Sequence, residues 1–396
     1  RDCLLSRGLG DVYKRQLIPS TVPALESISP HAISERRSSV LVWHPVRLIA
    51  VSLRNKTIIL GAIPVVASAV ALSLTEIPGT SVDLSVPYAA EGPGPTFNTL
   101  GTTGGKNVVD ISGTKTYPTS GHLNMTTVSV RHGMSLPQAI TRWATTNDTL
   151  VPIEQIFPAN QSPEEVNKEN QAAFASSENN ATSAAMKYLH RPMAVTVMSQ
   201  PEGFDEIRKG DIIEGIDGKK IAQPQDLVKA VRSHKVGDRV TLQVQRDGKS
   251  QDVSVPVRQG ESDDAPILGI TIKQEPADGT TIDYHLDDIG GPSAGLMFTL
   301  AVVDKLTPED LTDGKFIAGT GTIDADGGVG PIGGVSHKID AAKKAGATIF
   351  MTPSDNCAEA LSGDHEGVVL AKVNNLSDAV VALKEVKAGK KPNRCS

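Results

Sequence analysis

Two stretches decide how this chain is read: Asp288-Ile289-Gly290-Gly291-Pro292-Ser293-Ala294-Gly295 and Gly330-Pro331-Ile332-Gly333-Gly334-Val335-Ser336-His337-Lys338. The first sets a serine in a glycine-flanked turn that opens an apolar helix, Ser293 to Lys305. Helix N-termini carry unpaired N–H groups and partial positive charge, the donors that an acyl-transfer oxyanion needs. Glycines 290, 291 and 295 allow a sharp turn and close approach of a substrate. The second stretch opens a helix on which residues 335, 338, 339, 342 and 345 share one side. Val335, Ile339, Ala342 and Ala345 are apolar, so Lys338 lies on a stripe expected to be buried, while Lys343 and Lys344 face solvent. Burial depresses a lysine's pKa and turns it into a usable general base. Ser293 with Lys338 therefore has the pattern of a serine nucleophile and its lysine base. The plainer alternatives are a helix cap at Ser293 and a snorkelling Lys338.

Working outward, residues 262–386 alternate strands and helices. Strands are expected at Thr281–Leu286, Phe316–Ile323 and Ala347–Met351, and a last helix at Leu376–Val386, ahead of a tail at 387–396. Residues 78–190 hold an extended, turn-rich run to Thr102, β-type runs within 108–130 and a helix over 162–189 that starts at Pro163-Glu164-Glu165. Residues 191–258 are strand-rich. They include Lys209-Gly210-Asp211-Ile212-Ile213, a helix from Pro224 to Ser233 and an alternating strand from Arg239 to Arg246 before the turn Asp247-Gly248.

The run Thr57–Leu74 carries no charge and approaches the roughly 20 residues that span a bilayer. Arg47, Arg54 and Lys56 precede it, so the positive-inside rule puts the N-terminus in the cytoplasm and the bulk of the chain outside. A single-pass anchor in the cell membrane is expected, with residues 41–56 as a short basic cytoplasmic segment; a cleaved signal peptide is the alternative. Residues 1–16 resemble translated adapter sequence, and residues 1–40 carry no fold expectation; a disordered cytoplasmic tail is the alternative. With Cys3 set aside, Cys357 and Cys395 form an even pair, expected as a disulfide in an exported domain and worth roughly 3–4 kcal/mol; the alternative is two free thiols. The net charge of −6 speaks against non-specific nucleic-acid binding. No cofactor or metal is expected. Gly104-Gly105-Lys106-Asn107 does not complete a phosphate-binding Gly-x-x-x-x-Gly-Lys-Ser/Thr loop, so ATP-independent action is expected.

Two resemblances follow from these residues. The stretch 191–258 resembles the PDZ domains of bacterial proteases. That implies binding of partner or substrate C-terminal tails by strand addition, with the carboxylate-binding loop near Tyr188–Arg191. The stretch from Thr281 to Ala360, with Gly291-Pro292-Ser293-Ala294-Gly295, Thr320-Gly321-Thr322-Ile323 and Pro331-Ile332-Gly333-Gly334 leading to Lys338, resembles the proteolytic domain of the Lon (S16) family. The whole chain, with Glu91-Gly92-Pro93-Gly94-Pro95-Thr96-Phe97 and Gly121–Val130, resembles bacterial membrane-anchored PDZ-plus-Lon proteins. The implied fold is α/β (α+β): a Lon-type domain with a β-rich PDZ domain, preceded by one transmembrane helix. The implied site is Ser293 and Lys338, with Thr320 orienting the lysine and Gly291 and Ala294 supporting the turn and its oxyanion donors. Substrates would be unfolded or flexible protein segments, and assembly into a homo-oligomer stays open. The family usually has an acidic residue where this chain has Gly290; Asp287 and Asp288 are the nearest substitutes, and His285 is read as structural. An inactive scaffold that only binds partners is the alternative function. Whether the PDZ module is an insertion, with 108–130 and 162–189 packing against the catalytic half, stays open at this point.

Overall fold

The computed structural model describes residues 53–80, 82–158, 160–260, 264–286 and 289–396. Residues 1–52, the nearest substitutes Asp287 and Asp288, and the first part of the basic segment lie outside it.

The N-terminal helix α1 is Leu53–Ser73. Its described side chains begin at Ile58; Leu60, Ile63, Val65 and Val66 stand exposed among them. Taken over the described residues, no helix is long and apolar enough to cross a membrane.

Beyond it come β1 (Tyr88–Asn98), β2 (Val109–Ser112), β3 (His122–Arg131), α2 (Leu136–Thr145), β4 (Thr149–Pro152) and the long α3 (Pro163–Tyr188). Ser162 caps α3, accepting from the Glu165 N–H while Glu165 accepts from the Ser162 N–H. A separate antiparallel sheet follows, built from β5 (Met193–Ser199), β6 (Ile212–Ile216), α4 (Pro224–Arg232), β7 (Arg239–Arg246), β8 (Lys249–Pro256) and β9 (Thr271–Pro276), in strand order β8-β7-β6-β5-β9. The chain then supplies β10 (Thr281–Tyr284), α5 (Gly295–Leu306), β11 (Phe316–Gly319), α6 (Val335–Ala345), β12 (Ile349–Pro353), α7 (Cys357–Ser362), β13 (Val369–Val373) and α8 (Leu376–Lys387).

The second sheet has the order β13-β12-β11-β3-β1-β4. β11 pairs in parallel with both β12 and β3, so residues 122–131 sit in the same sheet as the catalytic half. β2 also pairs with β10, Thr281 opposite Ser112. The β5–β9 module is thus a loop-out between α3 and β10.

The parallel strands β11 and β12 are buried on both faces, as parallel strands covered by helices are. Ile317, Ile349 and Met351 join α3, α5 and α8 in one core. Their neighbours Ala318 and Phe350 turn the other way and join α6 and α7. The period-2 alternation thus splits one sheet between two apolar layers.

Three expectations need correction, and a fourth, the extended run before Thr102, is sharpened. The module boundary expected at 258–262 falls after Pro276, because β9 pairs with β5, Gln274 opposite Val195. The turn-rich run before Thr102 contains β1, an interior strand despite Pro93 and Pro95. β4 accompanies β1 only from Tyr88 to Glu91, so the prolines fall where one edge is already open, at a bulge between Pro93 and Thr96. The single strand expected over 316–323 breaks after Gly319, and Thr322–Ile323 pairs instead with Val329–Gly330. The break comes at Gly321, φ 151°, where an added Cβ would sit 3.0 Å from Val329 Cγ1 and 3.3 Å from Leu296 Cβ. Finally, Ala345 is exposed because α6 ends at left-handed Gly346, while His337 and Ala341 join Val335, Lys338, Ile339 and Ala342 in the buried set.

Candidate active site

Ser293, Thr320 and Lys338 meet at the carboxyl end of β11, where open α/β sheets place their ligand crevices. Thr320 directly follows the strand. Ser293 leads into α5 on one face of the sheet, and Lys338 lies in the second turn of α6 on the other.

The serine turn is held from three sides. Gly291 adopts φ 87° and its N–H donates to the Asn170 carbonyl at 2.8 Å. Ser177 Oγ donates to the Pro292 carbonyl at 3.0 Å. The Gly321 N–H donates to the Ser293 carbonyl at 2.9 Å, and the Leu296 N–H to the Gly321 carbonyl at 3.2 Å. Gly295 is required by space: a Cβ there would stand 2.6 Å from Ile323 Cγ2 and 2.8 Å from Ser177 Oγ. Gly291 therefore shapes the turn and spends its N–H on α3. Ser293 and Ala294, whose N–H groups are the nearest remaining donors on this turn, lead directly into α5.

Thr320 joins serine to lysine. Its Oγ1 donates to the Ser293 carbonyl at 3.2 Å and accepts from Lys338 Nζ at 3.2 Å. Thr320 and Lys338 are fully buried, and Ser293 is 6% exposed. Burial pushes the Lys338 amine down to about 7, against the opposing pull of Glu359 and then Glu91. Near neutral pH a large fraction of such an amine is unprotonated and able to accept a proton.

The loop before α6 is fixed by Asn356, which accepts from the Ile332 N–H at 2.9 Å and donates to the Ile332 carbonyl at 2.8 Å. The next residue, Cys357, is bonded to Cys395, and the Cys395 N–H donates to the Leu370 carbonyl. The tail is thereby fastened beside the helix that carries Lys338. Sequence reasoning passed over Asn356; an asparagine just ahead of a cysteine gave no periodic signal. His285 Nδ1 lies 3.0 Å from the Asn107 carbonyl, away from Ser293's partners.

α3 connects this site to the antiparallel module. Asn170, Ser177 and Asn180 face the serine side, Asn180 Nδ2 donating to the Ile323 carbonyl at 3.1 Å. Ser183 Oγ donates to Gln274 Oε1 of β9 at 3.4 Å. Glu178 is pushed up to about 7 by burial, with Lys273 of β9 opposing.

The segment expected as a carboxylate-binding loop, 188–191, serves a different end. Arg191 donates to Asp278 at 2.6 Å and to Thr280 at 2.7 Å, which closes the junction where β5 leaves and β9 returns. The open outer strand is β9, with α4 alongside. The turn leading to it contains Gly269 at φ 74°. Among the described residues, no cluster of three His, Cys, Asp or Glu side chains could hold a metal ion.

The comparisons with known proteins fall on these two halves. Residues 180–257 match the PDZ domain model, and residues 280–366 match the Lon protease (S16) C-terminal proteolytic domain. An archaeal Lon protease from Archaeoglobus fulgidus is 30% identical over 139 residues, 32% of this chain and 21% of that protein. A Lon protease from Koribacter versatilis is 46% identical over 66 residues, 17% of this chain and 8% of that protein. The PDZ domain of an SdrC-like protein from Listeria monocytogenes is 28% identical, covers 20% of this chain and 85% of that domain, and superposes with a TM-score of 0.19. This chain thus spans about a fifth or less of the length of these Lon relatives. It has a mixed α/β fold in which one region is similar to PDZ domains and another to the Lon (S16) C-terminal proteolytic domain. The structure extends both matches: β9 completes the PDZ sheet, and β1 and β3 complete the Lon-type sheet.

Proposed function

We propose that this chain is a serine endopeptidase in which Ser293 is the nucleophile and Lys338 the general base. The observation that carries it is the Thr320 hydroxyl, shared between Lys338 Nζ and the Ser293 carbonyl at the start of α5. Ser293 Oγ attacks the peptide carbonyl as Lys338 takes its proton; Lys338 then protonates the departing amine. N–H groups at Ser293 and Ala294, where the chain enters α5, stabilise the oxyanion. Water, deprotonated by Lys338, hydrolyses the acyl-enzyme. The PDZ sheet takes up a substrate or partner tail along β9, and α3 sets that strand close to the serine turn.

The reading includes ATP-independent hydrolysis of unfolded or flexible segments and a membrane anchor at α1 with the rest of the chain outside the cytoplasm. What supports the anchor is the uncharged run Thr57–Leu74 with its basic flank and the exposed apolar side chains of α1. The test is hydrolysis of unfolded casein, without and with ATP, by the wild type, Ser293→Ala and Lys338→Ala. The expected result is ATP-insensitive activity in the wild type alone. Equal activity in all three would overturn the enzyme reading and leave a binding scaffold.

A further inference from the structure

Two carboxylates act on Lys338, Glu359 of α7 and Glu91 of β1, and their surroundings differ. Glu359 is exposed, so water and salt screen it. Glu91 is 8% exposed.

Strand register shows which way Glu91 points. A Cβ placed on Gly334, the residue before α6, would lie 2.8 Å from Val128 Cγ1, so Val128 faces α6. Val128 pairs with Pro93, and Glu91 pairs with Val130. Directly opposed residues share a face, and so do residues two apart along a strand. Glu91 therefore stands on the sheet face that α6 covers. Gly92, between Glu91 and Pro93, faces the other way, toward Asp148. No carboxylate can come from the serine turn at position 290, because a Cβ on Gly290 would lie 2.9 Å from Asn170 Cβ, at the helix that holds the turn.

We propose that Glu91 is a positioning residue for Lys338, a buried carboxylate supplied from β1 on the sheet face that α6 covers. The inference rests on the Ser293–Lys338 reading. Its consequence is electrostatic. Burial drives the amine toward its neutral form, and an opposite charge shielded from water draws it back. Glu91 thus sets the pH at which Lys338 becomes a base, and it keeps the amine beside Thr320. Other titratable groups on α6 itself are His337, Asp340, the exposed Lys344, and Lys343, which pairs with Asp364 at 2.6 Å.

The test is an NMR titration of the full-length protein in nanodiscs, with lysines labelled at Cε and the Lys338 signal assigned by its loss in Lys338→Met. In Glu91→Gln the Lys338 midpoint falls by about one pH unit. The shift persists at high salt, whereas the change in Glu359→Gln fades as salt rises. The acidic limb of kcat/KM on casein moves the same way. Should Glu91→Gln not fold, Glu91→Asp, which withdraws the charge by one methylene, gives a smaller downward shift. An unmoved midpoint in whichever of these variants folds, with Lys338→Met inactive on casein, overturns this inference and leaves the Ser293–Lys338 reading standing. Casein hydrolysis by Lys338→Met overturns that reading instead, and the midpoint in Glu91→Gln still decides whether Glu91 governs Lys338.

Discussion

The two sheets each bury an ionisable side chain, and they treat it in opposite ways. In the PDZ sheet Asp211 of the Lys209-Gly210-Asp211 turn is buried, but Arg246 reaches it with two bonds of 2.7 and 2.6 Å and the Arg208 N–H adds a third at 2.8 Å. Burial alone would raise its pKa; the Arg246 and Arg208 bonds outweigh burial and hold the carboxyl below the usual range. In the Lon-type sheet Lys338 is buried against a hydroxyl, and burial outweighs the pull of Glu359 and Glu91. A buried charge that is met in full fixes a turn. One whose burial outweighs the charges acting on it is held ready to give up its proton. The first is architecture, and the second is the property a general base requires.

The comparison can be broken most forcefully at the lysine. Lys338→Ala and Ser293→Ala are each expected to lower casein hydrolysis by about 10³-fold or more, measured as initial rates on correctly folded protein. At Asp211 the expected loss is stability. Asp211→Ala leaves Arg246 without its carboxylate and costs about 3 kcal/mol in denaturant unfolding, while hydrolysis of short peptides by the remaining folded protein is unchanged. If Asp211→Ala instead abolished peptide hydrolysis at full stability, the division between the two sheets would fail.

Stability at position 338 should change with the opposite sign. The folded pKa of about 7 lies below the ordinary lysine value, so the unfolded chain binds the extra proton between roughly pH 7 and 10.4. Wild-type stability therefore falls as pH drops through that window and is level below it. Lys338→Met escapes this term and is expected to be more stable by about 2 kcal/mol at pH 7, the gain shrinking toward pH 10. Thermal unfolding over that range checks the sign. A gentler change is Thr320→Val, which removes the hydroxyl between Lys338 and Ser293. One hydrogen bond of about 1.4 kcal/mol corresponds to a tenfold fall in kcat/KM, with folding retained.

Much of this was legible because local chemistry and tertiary structure agree. The glycine-flanked Ser293, the apolar stripe around Lys338 and the Ser162 cap all have short-range causes, and α6 runs over Val335–Ala345 as its pattern implies. What escaped the sequence depends on distant partners. β1 looked like a turn-rich run because its prolines are tolerated only where β4 stops short of them. β9 looked like part of the catalytic half because nothing local links it to β5, more than 70 residues away. Asn356 carries no local signal, and Glu91 stands out only as part of the family-like stretch Glu91–Phe97, with nothing local to give its role. Each matters only because folding brings it to the loop before α6 or to the face that α6 covers.

The central claim is that Lys338 activates Ser293. Its most direct test is covalent labelling of the full-length protein by a serine-directed phosphonylating probe across pH, read by peptide mass spectrometry. The account predicts an adduct on Ser293 whose rate rises through about pH 7 and disappears in Lys338→Ala. Labelling of Ser293 that proceeds equally fast in Lys338→Ala, or an adduct on a different serine, would contradict it.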